Sequence, residues 1–150
     1  MTLDGDMVQG ILQKSNGWKI IEDPLGLKAL LKNEVSPDLN RFIVPLSMSF
    51  YFKNVPLFLQ NFVSPVDSIY LSCAIFKIFV QFLLICLLAF AISGFRKVFS
   101  KEFMVAALLI TPLFQTCGFN RSMGIIDQSI TYVFFYALPL GLLLFYLLLL

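Results

Sequence analysis

The chain has 150 residues, 59% of them hydrophobic and 13% charged, with a formal net charge of +2. A soluble domain is nearer half apolar and a quarter charged, so this composition argues against an ordinary water-soluble globule and makes lipid the natural solvent. The small charge, with no basic or acidic tail, leaves no footprint for nucleic acid, and the lack of histidine removes His-based acid–base catalysis, Ser-His triads and most zinc sites.

The first stretch with chemical content is Asp4-Gly5-Asp6. In an extended segment, residues i and i+2 point to the same side with Cα atoms about 6.6 Å apart. Both carboxylates can then face one cation or one acceptor hydroxyl, and Gly5 leaves room for a close approach. One carboxylate can take a proton from a hydroxyl nucleophile. The other can orient it or hold a divalent metal, Mg or Mn, through oxygen ligands. The plainer role for the tripeptide is a turn or a helix N-cap.

Residues 1–68 form one region with its own character. Leu3, Met7, Val8, Ile11 and Leu12 recur at helical spacing. Asp23-Pro24 reads as an N-cap followed by proline at N1, with "LGLKALLK" continuing as a helix. Ser36-Pro37-Asp38 starts another, with Leu39, Phe42, Ile43 and Leu46 on one face. The run "FIVPLSMSFYF" is too short to cross a bilayer and holds Pro45. Aromatic residues crowd around it, and residues 36–63 are expected to be amphipathic helices lying in the membrane interface. Arg41 and Lys53 fall in these helices. Each reads as an interfacial anchor or as a holder of a phosphate.

Residues 69–150 are the transmembrane region, with about three spans. The first, 69–94, covers roughly 39 Å as a helix, more than a hydrocarbon core of about 30 Å. Ser64-Pro65 and Asp67-Ser68 supply its start. Lys77 is expected about two turns in, close enough to snorkel outward. The second span, 103–118, is short and holds Pro112, which suggests a kinked or partly re-entrant helix. The third, 129–150, has Pro139 near its middle and Asp127 or Ser129 as its cap. Cys73, Cys86 and Cys117 sit in apolar runs and read as small buried hydrophobes. The chain has no P-loop and no GxGxxG, so no nucleotide site is expected.

The link between the first two spans carries Arg96, Lys97 and Lys101, whereas the next carries Arg121 and Asp127. The positive-inside rule puts the first link in the cytoplasm. Residues 1–68 and the 119–128 loop then share the outer side of a plasma or inner membrane. Arg121 there can hold the phosphate of a lipid-linked donor, or serve as an interfacial anchor with Asp127 as a nearby cap. A translocated leading segment needs something to carry it across, and "MTLDGDMVQG" has no signal-peptide pattern. The expectation is therefore a fragment, with a helix missing upstream and more helices missing downstream. A complete three-span protein is the alternative.

An acidic Asp-x-Asp pair on the outer side, followed by helices parallel to the membrane, resembles the GT-C-type membrane glycosyltransferases. "LDGDMVQGIL", "EDPLGLKALL" and "SPVDSIYLS" follow that arrangement in order, and the likeness is to polytopic bacterial proteins of this type. It covers residues 3–94 best. The resemblance implies transfer of a sugar from a polyprenyl-phosphate donor to an acceptor at the outer face. It makes Asp4 or Asp6 the general base and gives Arg121 the departing phosphate. The first helix and most of the family's ten or so spans are not in this chain, and a piece this short is not expected to act alone. The competing reading is a non-enzymatic multipass subunit, such as a transporter piece or an assembly factor. Its spans offer only Gln81, Thr111 and Gln115 as polar residues for a transport path.

Overall fold

The computed structural model describes residues 23, 25–34, 43–94, 98, 100–114 and 129–150. Every regular element among them is a helix. In chain order these are α1 (Leu27–Lys32), α2 (Ile43–Leu59), α3 (Pro65–Ile92), α4 (Lys101–Ile110) and α5 (Ile130–Leu149). A 3-10 turn, Thr111–Phe114, continues α4, and a five-residue π turn, Val133–Ala137, lies inside α5. The all-α expectation holds. The chain divides into two compact units whose boundary falls inside α3, between Ser72 and Cys73.

In the first unit, α1 starts later than the sequence suggests. Gly26 takes the N-cap position with φ of 66°, a left-handed conformation that glycine adopts without strain. Its N–H donates to the Asp23 carbonyl at 3.0 Å. The Asp23 carboxylate does cap this helix, but from further back: Oδ2 accepts from the Ala29 N–H at 3.0 Å.

α2 runs through both of its prolines as one 17-residue helix. Pro45 sits in the first turn, where its missing N–H has no partner in any helix. Pro56 lies in the interior and is buried. Met48, Ser49, Phe52 and Pro56 form the buried stripe. The outward side is not polar, as an amphipathic helix would have it. Ile43, Leu46, Phe50 and Leu57 are exposed there, broken by Lys53 and Asn54. The Tyr51 hydroxyl donates to the Ser72 carbonyl on α3 at 2.9 Å.

α3 opens on the signal read from the sequence. The Ser64 Oγ accepts from the Asp67 N–H at 3.2 Å and donates to Asp67 Oδ2 at 2.7 Å, while Pro65 occupies the first helical position. The helix is 28 residues long, about 42 Å. It begins four residues earlier than the expected span, so Lys77 stands 12 residues inside it rather than two turns in. Ser68 and Ser72 are fully buried and donate back to the carbonyls of Pro65 and Ile69.

In the second unit, α3 and α5 pack side by side and run the same way. Phe76 stacks on Phe134 with ring centroids 3.8 Å apart and planes 9° apart. Seven to eight residues further along α3, Leu83 and Leu84 meet Gly141 of α5. A Cβ at Gly141 would lie 3.4 Å from Leu83 Cδ2 and 3.5 Å from Leu84 Cδ2, ordinary contact with the ends of those side chains, so the space beside Gly141 holds a methyl group but not a larger side chain without displacing them. Val80, Leu84 and Ala89 of α3, and Val133, Phe134 and Ala137 of α5, are buried.

The π turn has a direct cause. Pro139 has no N–H to give Phe135, and its ring would strike the Phe135 carbonyl in a regular helix. The turn before it widens instead, and the Leu138 N–H donates five residues back to the Val133 carbonyl. Ser129, one of the two residues expected to cap α5, occupies its N-cap position, but its side chain makes no capping hydrogen bond there.

α4 is capped by Ser100, whose side chain accepts from the Phe103 N–H at 3.2 Å. Phe103, Ala106, Ile110 and Phe114 share its buried side. The expected span at 103–118 is described as far as Phe114. Ten α-helical residues give way at Thr111 to a 3-10 turn containing Pro112, and 115–118 lie outside the described residues.

Two helices are long and apolar enough to cross a membrane, α3 with 28 residues and α5 with 20. Large apolar side chains remain exposed along both, including Ile78 and Phe82 on α3 and Leu143 and Leu147 on α5. Leaving such a side chain in water forgoes about 1.5–3 kcal/mol relative to burying it. Hydrocarbon removes that penalty, because lipid tails are as apolar as leucine.

Candidate functional site

The residues singled out by sequence were Asp4, Asp6, Arg41, Lys53, Arg121 and Asp127. Only Lys53 lies among the described residues. It stands exposed on α2, one turn after the buried Ser49 and beside Asn54. The Asn54 side chain is engaged locally, its Nδ2 donating to the Phe50 carbonyl at 2.6 Å. Phe50 and Leu57, one turn before and after it on the same helix, are exposed. The other five lie outside the described residues.

No group of three or more His, Cys, Asp or Glu among the described residues is placed to hold a metal ion. The carboxylate pair suggested for Mg or Mn falls outside them. Asp67, the acid nearest the start of α3, is committed to the Ser64 cap.

The second unit does contain a recess. Cys86, Leu87 and Phe90 of α3, Val98 of the following link, Phe103 of α4, and Phe145, Leu148 and Leu149 of α5 line a cavity of about 270 Å³. It opens to the surface: Val98, Phe145 and Leu149 are 53%, 51% and 70% exposed. Its walls are hydrocarbon and aromatic, and the Cys86 thiol is the one heteroatom side chain among the lining residues.

Sequence reasoning missed this recess. The residues that line it read as lipid-facing or core positions one by one. Their convergence depends on the parallel packing of α3 and α5 and on where α4 begins, and no spacing within a single helix reports that.

Comparison with protein-family models, with curated proteins and with solved structures finds no match for this chain.

Proposed function

We propose that the chain is an integral membrane protein in which α3 and α5 cross the bilayer. We further propose that it serves transfer of a sugar from a polyprenyl-phosphate donor to an acceptor at the outer face of the membrane. The observation that carries the first part is the apolar surface along two helices of 28 and 20 residues, which hydrocarbon solvates and water does not. The outward apolar residues of α2 support a place for that helix at the lipid boundary.

The transferase reading rests on Asp4 and Asp6. One carboxylate takes the proton of the acceptor hydroxyl as its oxygen attacks the anomeric carbon of the sugar. The bond from that carbon to the donor phosphate breaks, and polyprenyl phosphate leaves with the electron pair. The other carboxylate orients the hydroxyl or holds Mg or Mn. Arg121 meets the departing phosphate through its guanidinium, and Arg41, Lys53 and Asp127 complete the donor's polar surroundings. The basic link after α3 supports the sidedness this requires.

Two experiments test the reading separately. Alkaline carbonate extraction of cell membranes should leave the chain in the pellet, and release into the supernatant contradicts membrane residence. Asp4→Asn and Asp6→Asn, made in the complete reading frame, should each abolish sugar transfer without disturbing insertion. Unchanged transfer in both, with normal insertion, leaves the non-enzymatic multipass subunit as the function.

A further inference from the structure

We infer that the phosphate and glycerol layer of the membrane, on the side where α3 and α5 begin, is held at the level of Tyr132, Tyr136 and Lys77. The hydrocarbon then covers α3 from Ala74 to Ile92 and α5 from Tyr132 to Leu149, and the first turns of α3 stand clear of it. The inference rests on the membrane residence proposed above, names the lipid layer that the protein binds, and is independent of the sugar-transfer chemistry.

Length sets the problem. All 28 residues of α3 make about 42 Å, and a hydrocarbon core is about 30 Å thick. Holding the whole helix in hydrocarbon needs a tilt of about 45°, beyond the range of about 0–40° that membrane helices show. It would also put Lys77, 12 residues in, close to the middle of the bilayer, where a charge is costly. The seam supplies the level. Phe76 stacks on Phe134, and Leu83 and Leu84 meet Gly141, so Ala74 lies level with Tyr132 and Ile78 with Tyr136. From that level α3 runs about 27 Å to Ile92, and α5 about 26 Å to Leu149. The two lengths agree with each other, and each nearly fills the core.

Side-chain chemistry agrees with that level. Tyr132 and Tyr136 are one turn apart, 48% and 67% exposed, with ring centroids 5.7 Å apart. A phenol suits a boundary because its ring is apolar and its hydroxyl bonds to phosphate and glycerol oxygens, and tyrosine is enriched at membrane surfaces for that reason. The half-buried Lys77 belongs to the same band. It lies about 4.5 Å below Ala74 along the axis, side chains on a helix lean toward its N-terminus, and a lysine stem reaches that far through hydrocarbon. Beyond these residues neither helix carries a charge as far as Ile92 and Leu149. On α5 the next polar side chain is Tyr146, near the opposite end. The part of α3 that precedes Ala74, by contrast, carries the exposed Asp67 carboxylate.

The test uses the full chain, with Cys73, Cys86 and Cys117 replaced by serine, in phosphatidylcholine vesicles. A nitroxide is attached to one introduced cysteine at a time, at Val66, Leu71, Ile75, Ile78 or Phe82, all exposed on α3. Electron paramagnetic resonance reads the depth of each label as its access to dissolved oxygen relative to a water-soluble nickel chelate. Nickel access should dominate at Val66 and Leu71 and the balance should turn at Ile75. Phe82 should be the deepest, with an oxygen-to-nickel ratio severalfold above that of Ile75. Oxygen-dominated access at Leu71, or a maximum at Ile78 instead of Phe82, overturns the inference, and that result needs no change to the three belt residues. Replacing the belt, by Lys77→Leu with Tyr132→Leu and Tyr136→Leu, should let Leu71 sink and raise its ratio severalfold. An unchanged profile in that variant overturns the inference as well. Retention in carbonate-washed membranes with Leu71 in hydrocarbon defeats this inference alone, whereas release by carbonate defeats membrane residence and this inference together.

Discussion

α3 and α5 lie along the same seam, yet they handle proline in opposite ways. In α3 the proline is Pro65, at the first helical position, where no intrahelical N–H bond is lost. The helix then runs its 28 residues as one regular element. In α5 the proline is Pro139, well inside the helix, and the chain absorbs it by widening Val133–Ala137 into a π turn. The widened turn keeps Phe134 on Phe76 and Gly141 on Leu83 and Leu84. A proline's position relative to the start of its helix decides whether it is silent or reshapes a turn. The contacts on either side of that turn decide what the reshaping must preserve.

If that seam is what aligns the two helices, Phe134→Ala should have the largest effect. It removes a buried ring whose centroid lies 3.8 Å from that of Phe76 and should lower stability by about 3–5 kcal/mol in a denaturant titration in mixed micelles. A loss below about 0.5 kcal/mol means the stack does not hold α5 in place.

Gly141→Leu should come next, at about 1–3 kcal/mol, because the side chain must displace Leu83 and Leu84. Gly141→Ala should be near neutral in the same assay, since its Cβ meets those leucines at ordinary contact distance. Equal losses for the two substitutions would place the requirement in the backbone rather than in the space.

The contrast at the helix starts is smaller. Ser64→Ala removes the cap of α3 and should cost about 1 kcal/mol, with Ser64→Asp recovering most of it. Tyr51→Phe deletes one hydrogen bond, to the Ser72 carbonyl, and should cost about 0.5–1 kcal/mol. Amide exchange at Asp67 should quicken in the first variant and not in the second.

The sequence made the helix starts readable wherever a short polar side chain precedes an apolar run. Ser64-Pro65 with Asp67 is the case the structure bears out atom by atom. Asp23 was readable as a cap but not in its geometry, because the left-handed Gly26 comes between the carboxylate and the helix. The two long apolar helices were readable from length and composition, because hydrocarbon demands little else of a span. The π turn was not readable, since a proline inside a helix is equally compatible with a kink. The outward face of α2 also departed from expectation, because hydrophobic residues populate both its exposed and its buried sides. Of the site residues named from sequence, only Lys53 falls among the described residues. The apolar recess went unseen because three helices build it and no one of them announces it.

The account depends most on α3 and α5 crossing the bilayer in the same direction. A direct measurement replaces Cys73, Cys86 and Cys117 with serine, introduces one cysteine at a time at Asn61, Val98 or Ser129, and labels intact cells with a membrane-impermeant maleimide. Asn61 and Ser129, which precede the two helices, should react from outside, and Val98, which follows α3, should react only after the membrane is opened. Reaction of Asn61 and Val98 from the same side would contradict a membrane-spanning α3, and reaction of Asn61 and Ser129 from opposite sides would contradict a shared direction.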